Sequence, residues 1–381
     1  MRAQTRQHHG GRRRRAVSAA VAIGALTLGV LVPTSVSAAA GPDVVQRALD
    51  GLVRDDGMPA ALASVQDRDG RTRTYTAGVG DLATGSKVPR DGQVRIGSNT
   101  KAFTAVVVLQ LVGEGRIGLD TMVETYLPDL VRGEGIDGRR IKVRELLQHT
   151  SGLPDYSVHI DDDEIRNRYV EPRELLDIAL RHKADAKPGE TWGYSNTNYL
   201  LAGLIVQKVT GRPLAEEIDR RIIKRIGLRH TYFPAPGEMT IREPHPHGYH
   251  RNPADGPLRD FTEMDPSWAG AAGQLISTNS DLNRFFTALL AGRLLPAAQL
   301  AQMRTTVPAG TSGLRYGLGL TSRPLSCGGV YWGHGGDIAG YETRGGVTDD
   351  GRAANVAVTT IPTDDSAAQH VTDAVDRALC G

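Results

Sequence analysis

Beyond residue 40, the 381-residue chain has no apolar run long enough to cross a bilayer, no internal repeat and no low-complexity segment. These absences exclude a membrane span and a repeat array from the main body of the chain. Aromatic residues are also few, at 5%, whereas glycine and alanine are plentiful. The sequence therefore predicts a globular protein with a large core packed by small side chains.

Residues 1–40 are typical of an export signal that does not belong to the fold. A basic front with Arg12 to Arg15 precedes an apolar run from about residue 16 to residue 32, and small residues follow. Cleavage after Ala38 or Ala40 is expected, with Sec and twin-arginine export both open. The alternative is an uncleaved amino-terminal anchor. The pattern predicts a secreted or extracytoplasmic protein.

The basic excess of the chain lies in this leader. It carries six arginines and no acidic residue, so removing it changes the formal net charge from +2 to about −4 (+2 minus 6). An acidic mature chain argues against nucleic acid as a partner.

The chain has only two cysteines, Cys327 and Cys380, and both follow the leader. In an exported protein such a pair is expected to form a disulfide. The alternative is two free buried thiols.

The element pattern predicts an α+β protein, an α/β sandwich. Residues 61–81 indicate a hairpin around an Asp-Gly turn, extended runs with glycine turns follow residue 315, and residues 160–230 show helical periodicity. We expect one antiparallel sheet built from both chain ends and flanked by helices, with an inserted all-α subdomain. The predicted boundaries are 41–150 with 266–381 for the α/β subdomain, and 151–265 for the mostly helical insertion.

Ser98 and Lys101 form the first chemical candidate, in GSNTK before a long apolar segment. Residues i and i+3 share one helix face, so hydroxyl and amine would lie side by side. A helix start favours an oxyanion, and a lysine shielded from water can lose its proton and act as a base. An S-x-x-K pattern also arises by chance in a chain of this length, so a polar helix start is the alternative.

Two further candidates lie in loops. In GYSNTNYL, Tyr194 and Asn196 can face one cleft as proton relay and carbonyl holder, and the alternative is a capping turn. In WGHGGD, His334 would place an imidazole over the same site, while Gly335 and Gly336 would let substrate backbone approach. The alternative there is a β-turn with a solvent-exposed histidine.

Together, S-x-x-K, Y-x-N and H-x-G stand in the order of the three motifs of the serine penicillin-recognising enzymes. The segments LLQHTSGLPDY, PGETWGYSNTNYLLAGLIVQKVTG and AAGQLISTNSDLNRF also resemble the class C β-lactamase-like and D-alanyl-D-alanine carboxypeptidase branch. The resemblance covers about residues 43–380 and implies a β-lactamase/transpeptidase-like fold. Motif separations and cysteine positions are most similar to a secreted serine-type D-Ala-D-Ala carboxypeptidase.

The resemblance implies catalytic roles for four residues. Ser98 would form an acyl-enzyme and Lys101 would activate it. Tyr194 would pass the proton to the leaving amine, and the resemblance leaves open which of Lys101 and Tyr194 is the formal base. His334 would support the proton network and the substrate carboxylate.

The resemblance also implies binding roles. Asn196 would orient the substrate amide, and the backbone N–H groups of Ser98 and Asp337 would form the oxyanion hole. Trp268 and Tyr156 would line the cleft.

Two positions depart from the carboxypeptidase pattern. Gly335 stands where those enzymes carry a hydroxyl residue that helps to hold the terminal carboxylate of the substrate. Asp337 adds a negative charge nearby, which would repel a carboxylate unless Arg344 or Arg323 offsets it. An acid there suits a substrate with a free amine, so the departures affect specificity and not the acyl-transfer chemistry.

His245, His247 and His250 have an H-x-H-x-x-H spacing that also occurs in metal sites. Such spacing in a strand or loop gives no fixed tetrahedron. We therefore expect a loop flanking the cleft and no metal.

The sequence predicts an exported serine acyl-hydrolase, specifically a D-Ala-D-Ala carboxypeptidase or transpeptidase that acts on peptidoglycan-type peptides and is acylated by β-lactams. The alternatives are a β-lactamase, esterase or D-aminopeptidase on the same fold, and a non-catalytic penicillin-binding module. The complete set of motifs argues against the last. A monomer without a cofactor is expected.

Overall fold

The structure is a computed structural model that describes residues 43–310 and 313–381. The predicted leader, residues 1–40, lies outside the described residues. Within the described ranges, no helix has both the length and the apolar character needed to cross a membrane.

Strands and helices alternate along the chain, with most strands at its two ends. The strands of the described residues are β1 (Ala60–Gln66), β2 (Thr72–Gly78), β3 (Val94–Arg95), β4 (Arg132–Gly133), β5 (Ile136–Asp137), β6 (Tyr249–His250), β7 (Arg259–Asp260), β8 (Ile276–Ser277), β9 (Val307–Pro308), β10 (Arg315–Tyr316), β11 (Thr321–Pro324), β12 (Val330–Gly333), β13 (Gly336–Ile338), β14 (Tyr341–Thr348) and β15 (Ala353–Val358). The helices are α1 (Val44–Arg54), α2 (Thr100–Gly113), α3 (Val123–Tyr126), α4 (Val143–Leu147), α5 (Asp162–Ile165), α6 (Pro172–Leu180), α7 (Asn196–Thr210), α8 (Leu214–Ile218), α9 (Lys224–Ile226), α10 (Gly270–Gly273), α11 (Asn279–Leu290), α12 (Ala297–Met303) and α13 (Asp365–Cys380).

Nine strands form one antiparallel sheet in the order β2-β1-β15-β14-β12-β11-β10-β9, and β13 pairs with β14. The front hairpin β1–β2 joins the back of the chain through β1 and β15, where Ala61 lies opposite Val358. The prediction of one antiparallel sheet built from both chain ends is therefore confirmed.

Helices cover both faces of this sheet. α1 and α13 pack together on one face, and α11 packs across β1, β14 and β15 on the other. Asn279 and Asn283 of α11 donate side-chain hydrogen bonds to the carbonyls of Leu62 and Ser64 on β1. Because both faces are covered, β1 and β15 are runs of small apolar residues that are almost entirely buried, instead of alternating sequences.

The helix that follows Ser98 lies in the centre of the molecule. Every residue of α2 from Thr100 to Leu111 is buried, and the ring of Phe103 stacks on that of Phe285 in α11 with centroids 3.7 Å apart. The run of three valines at 106–108 is a poor helix sequence by propensity, so burial on all sides determines its conformation.

The segment predicted as a helical insertion, residues 151–265, contains α5 to α9. It also contains the short strand pair β6–β7, so it is mostly and not entirely helical. The predicted boundaries between the two subdomains stay a prediction.

Cys327 and Cys380 form a disulfide, as predicted, with their Cα atoms 5.7 Å apart. The bond joins the turn between β11 and β12 to the last turn of α13. It therefore ties the terminal helix to the sheet, which the alternative of two free thiols would not do.

Candidate active site

Ser98 lies in a single 3-10 turn, Gly97–Asn99, that leads directly into α2. This turn lies against the edge strand β13. A Cβ on Gly97, whose φ is +48°, would approach the Asp337 nitrogen to 2.9 Å, and a Cβ on Gly336 would lie 1.9 Å from the Ile96 carbonyl oxygen. Only glycine fits either position, because the turn that carries Ser98 and the strand that carries Asp337 approach each other so closely.

Gly336 was expected to let substrate backbone approach the strand, and that contact stays a prediction. The space where a Gly336 side chain would lie holds the turn that carries Ser98, since a Cβ there would lie 2.9 Å from the Ser98 nitrogen.

Lys101 is 0% exposed and its amine contacts three oxygens. Nζ lies 2.9 Å from Ser98 Oγ, 2.6 Å from Asn196 Oδ1 and 3.0 Å from the Ala272 carbonyl. Burial lowers the pKa of Lys101 to about 7, although Asp155 and Asp337 oppose the shift. A neutral amine donates two hydrogen bonds, here to Asn196 and Ala272, which leaves its lone pair for the Ser98 hydroxyl.

Tyr194 approaches Ser98 from the other side. Its hydroxyl donates to Ser98 Oγ at 2.7 Å, although 37% of the residue is exposed in the cleft. The pKa of the phenol is raised, because the hydroxyl lies in the low-dielectric centre of the site. Tyr194 therefore holds its proton and faces Ser98 as a donor.

Asn196 is the first residue of α7, and Ser195 precedes it as N-cap without a side-chain capping bond. The Asn196 carbonyl oxygen accepts from Lys101, and its amide nitrogen donates to Asp155 at 3.0 Å and Ser157 at 2.9 Å. Asn196 starts the helix, as the alternative of a capping turn had it, but its side chain contacts Lys101, Asp155 and Ser157 and does not cap the helix. The predicted contact of Asn196 with a substrate amide stays a prediction.

His334 is 5% exposed, so the alternative of a solvent-exposed turn histidine is wrong. Burial and, to a smaller extent, the nearby Lys101 lower the pKa of His334 to about 3. Its Nδ1 lies 2.5 Å from the Gly335 carbonyl, which can only accept, so Nδ1 carries the proton. Its Nε2 lies 2.8 Å from the hydroxyl of Tyr316.

The two positions that depart from the carboxypeptidase pattern are connected through Arg344. Its Nη1 donates to Asp337 Oδ1 at 2.6 Å, and its Nη2 lies 3.2 Å from Glu342 Oε1. Burial raises the pKa of Glu342 to about 7 against the opposing effect of Arg344. A Cβ on Gly335 would lie 3.1 Å from Arg344 Nη1, so the missing side chain at 335 leaves room for the guanidinium that offsets Asp337.

Two cavities open on Ser98, and Asn196 and Asp337 line both. The smaller, about 200 Å³, also includes Tyr156, Trp268, Asp162 and a few small or apolar side chains, and no basic side chain lines it. The Tyr156 hydroxyl donates to the Trp268 carbonyl at 2.8 Å, so these two predicted wall residues contact each other.

The larger cavity, about 420 Å³, lies on the side of Tyr194 and His334. Aromatic rings form much of its wall, and two arginines, Arg323 and Arg344, also line it. The side chain of Arg323 is half-buried and makes no hydrogen bond or ion pair with the described residues, although its backbone pairs with Tyr331 on β12 and its charge acts on the Tyr331 phenol.

The three histidines predicted to flank the cleft each have a different partner. His245 Nδ1 lies 2.6 Å from the Glu243 carbonyl, and His247 Nδ1 lies 2.6 Å from Asp260 Oδ2. His250 Nε2 lies 3.3 Å from Asp162 Oδ2. The described part of the chain holds no group of three or more His, Cys, Asp or Glu side chains that could bind a metal ion.

Sequence reasoning missed three residues of the site: His149, Asp155 and Tyr316. His149 and Asp155 lie within LLQHTSGLPDY, which supported the family resemblance without contributing a site residue. The sequence feature that could have indicated them is a Ser-Gly turn with a histidine shortly before it and an aspartate shortly after it. Tyr316 had no signal, because an isolated tyrosine in a short strand is ordinary.

The fold and this geometry define a serine hydrolase of the β-lactamase and penicillin-binding-protein class. A family model described as Beta-lactamase matches residues 45–379, and the chain belongs to that family. Among solved structures, a D-stereospecific amidohydrolase from Streptomyces sp. is 41% identical with a TM-score of 0.80, covering 87% of this chain and 97% of that one. The D-amino acid amidase of Ochrobactrum anthropi SV3 is 29% identical with a TM-score of 0.78, covering 88% and 96%.

Curated relatives match over shorter stretches. Protein flp of Staphylococcus aureus (strain MW2) is 34% identical over 138 residues, which is 36% of this chain and only 27% of that protein. Penicillin-binding protein 4 of Amycolatopsis lactamdurans is 29% identical over 274 residues, 69% of each chain. The family is therefore established, and the substrate is not.

Proposed function

We propose that the protein is a serine amidohydrolase that cleaves amides, esters or short peptides of D-amino acids with a free amine. The observation that carries the proposal is the smaller cavity beside Ser98, whose wall holds the carboxylates of Asp162 and Asp337 and no basic side chain. Arg344 offsets the charge of Asp337 from outside this cavity, so Asp162, 3.3 Å from His250, is the main acid available to a substrate amine. Such a wall favours an ammonium group. The similarity to a D-stereospecific amidohydrolase and a D-amino acid amidase supports the D configuration.

The position of Tyr194 distinguishes the two sides of the scissile bond. Tyr194 lines only the larger cavity, and the group that protonates a leaving amine must lie on the side where that amine departs. The leaving group therefore occupies the larger cavity and the aminoacyl group the smaller one. A volume of about 200 Å³ suits one small amino acid residue.

Proton transfers follow from the hydrogen bonds at Ser98. Ser98 Oγ attacks the acyl carbon as its proton passes to neutral Lys101, and the N–H groups of Ser98 and Asp337 bind the oxyanion. The C–N bond then breaks as the leaving nitrogen takes the hydroxyl proton of Tyr194. The proton that Lys101 took from Ser98 then passes to the Tyr194 phenolate and restores its hydroxyl. Water attacks the ester, its proton passes through the same pair, and Ser98 regains its hydroxyl.

The direct test is turnover of D-alanine amide beside L-alanine amide and N-acetyl-D-alanine amide. We expect hydrolysis of the D compound and weak hydrolysis of the other two, because the acetyl group removes the positive charge. Equal rates for the free and acetylated amides would contradict an amine-binding cavity.

Asp162→Asn tests the cavity directly and has a matched control in its neighbour. Asp163 pairs with Arg259 and lines neither cavity, so Asp163→Asn should leave kcat/KM unchanged. Asp162→Asn should lower kcat/KM for the free amine by about 10-fold, the usual effect of one charge-assisted contact. The acetylated substrate should respond to neither change.

A D-Ala-D-Ala carboxypeptidase is the second candidate, and Arg323 favours it. Its guanidinium lines the leaving-group cavity, where the carboxylate of a departing D-alanine would lie, and Arg344 neutralises the acid that would repel it. Arg323→Gln should then reduce D-alanine release from a D-Ala-D-Ala peptide. Arg315→Gln is the control, since Arg315 is exposed and bonds to Thr306.

We also propose that residues 1–40 direct export, as the leader pattern predicts. Sequencing the amino terminus of secreted protein should give a start after residue 38 or 40, and protein retained in cells with an intact leader would contradict the proposal. Acylation by β-lactams and the monomeric state also stay predictions. A solved relative from Pyrococcus abyssi, 25% identical with a TM-score of 0.74 over 88% of this chain and 76% of that one, is an octameric penicillin-binding protein homologue.

A further inference from the structure

His149 lies behind the site, 0% exposed, two residues after the end of α4, and no step proposed above uses it. Its backbone φ is +59°, in the left-handed region that non-glycine residues adopt uncommonly, with asparagine, aspartate and histidine the most frequent among them. A fully buried histidine in such a conformation requires a reason, and its contacts supply one.

His149 holds the loop of the second motif at three points. Its carbonyl accepts from the Gly193 N–H at 2.9 Å, and its ring Nδ1 accepts from the Ser195 N–H at 3.2 Å. Its ring lies against the ring of Tyr194, with centroids 4.3 Å apart and planes inclined by 32°. The residues before and after Tyr194 are thus both bonded to His149, and the phenol between them is directed at Ser98.

The hydrogen bonds also determine the protonation of His149. A backbone N–H and the Asn198 amide, at 3.1 Å, both donate to Nδ1, and Ser151 donates to the other end of that amide at 2.5 Å. Nδ1 is therefore unprotonated and Nε2 carries the hydrogen, directed at the Tyr316 hydroxyl 3.2 Å away. Tyr316 in turn donates to His334, so His149 connects the second motif to the third.

We propose that His149 is a positioning residue that holds the Tyr194 hydroxyl where it protonates the leaving nitrogen. The inference rests on the proposed acyl-transfer function of Ser98 and deepens it. An amide nitrogen leaves only when it receives a proton, whereas a p-nitrophenolate leaves without one. A displaced Tyr194 therefore slows amide cleavage much more than aryl ester cleavage, and a general loss of stability slows both equally.

Two substitutions separate the contacts of His149. His149→Phe keeps an aromatic ring against Tyr194 and removes the acceptor, whereas His149→Asn keeps a side-chain acceptor and tolerates the left-handed backbone. We would measure kcat and KM for D-alanine amide and D-alanine p-nitrophenyl ester. The amide-to-ester ratio of kcat/KM, which reports acylation and not the deacylation step that both substrates share, should fall about 10- to 100-fold in His149→Phe and less in His149→Asn.

Tyr194→Phe is the reference for the expected pattern. His370→Phe is the control, since His370 lies on α13, pairs with Asp56 and lines neither cavity at Ser98. Equal losses for amide and ester would overturn the inference. If His149→Phe does not fold, an unchanged ratio in His149→Asn would overturn it as well.

A crystal structure separates this inference from the substrate assignment. In His149→Phe, or in His149→Asn if the former does not fold, we expect the Tyr194 hydroxyl to be displaced from Ser98 Oγ. A contact that stays at the 2.7 Å of the wild type would refute the positioning role, whatever substrate the enzyme cleaves. Absence of turnover by the wild type would instead contradict the proposed function alone.

Discussion

Lys101 Nζ donates to Asn196 Oδ1 at 2.6 Å, and this bond joins two motifs that lie 95 residues apart in the chain. With the second bond of the amine, to the Ala272 carbonyl, it leaves the nitrogen lone pair for Ser98 and holds the amine in the buried centre of the molecule. α7 begins at Asn196, so Tyr194 lies in the loop just before the helix with its hydroxyl on Ser98, while the Asn196 side chain contacts Lys101.

Ser98→Ala should abolish acylation. Ser98 Oγ lies 2.9 Å from Lys101 Nζ and 2.7 Å from the Tyr194 hydroxyl. Among the described residues, no other hydroxyl group is hydrogen-bonded to both Lys101 and Tyr194. Labelling by a fluorescent penicillin should disappear, and amide turnover should fall by about 10⁴-fold or more. The exposed Ser366, in the first turn of α13, gives the control Ser366→Ala. Labelling of a folded Ser98→Ala protein would contradict the assignment of the nucleophile.

The rate of penicillin acylation should rise with pH through about 7. Below that pH the buried Lys101 is an ammonium ion and cannot take the Ser98 proton, and above it the neutral amine can. His334, with a pKa of about 3, stays neutral across this range and does not contribute. The measurement is the second-order acylation rate between pH 5 and 9.

Glu342 also has a pKa raised to about 7 and must be separated from Lys101. Glu342→Gln removes that titration and should leave the rise of the acylation rate around pH 7 in place, since the carboxyl contacts Arg344 and lies opposite Asp337 on β13 without contacting Ser98 or Lys101. If the acylation rate of this variant no longer rose around pH 7, the titration would belong to Glu342 and the role of Lys101 as base would be refuted.

The two glycines of the third motif should differ in their tolerance of alanine. A Cβ at 336 would overlap the Ile96 carbonyl at 1.9 Å, so Gly336→Ala must displace the turn that carries Ser98 and should destabilise the fold by about 1–3 kcal/mol. A Cβ at 335 meets only the Arg344 side chain, which can move. Gly335→Ala should therefore retain most activity, as penicillin labelling and thermal melting of both variants would establish. Equal behaviour would be inconsistent with the close approach of turn and strand.

Removal of the disulfide should affect stability and leave the chemistry intact. Cys327→Ser with Cys380→Ser releases a loop closed across 53 positions, which should lower the free energy of unfolding by about 2–4 kcal/mol. Neither cysteine lines a cavity at Ser98, so the acylation rate of the folded protein should not change. Denaturant titration measures the first effect, and a change in rate at equal folded concentration would contradict the second.

Local patterns in the sequence predicted the front hairpin, the extended runs after residue 315, the helical segments between residues 160 and 230, and the disulfide. Each depends on alternation, helical periodicity or residue type within a short window. The three motifs and their order also predicted which side chains meet at Ser98. Contacts between distant segments were not predictable in this way, and the fit of Gly336 against residues 96–98 is an example.

The sequence by itself determined the class of chemistry, because a serine, a lysine, a tyrosine and a histidine in ordered motifs have few other uses. Only the tertiary structure decided how these groups are charged. Burial lowers the pKa of Lys101 to about 7, Arg344 pairs with Asp337, and His149 contacts the loop on both sides of Tyr194. Desolvation and ion pairing depend on which residues surround a group in space, and that neighbourhood is assembled from segments far apart in the chain.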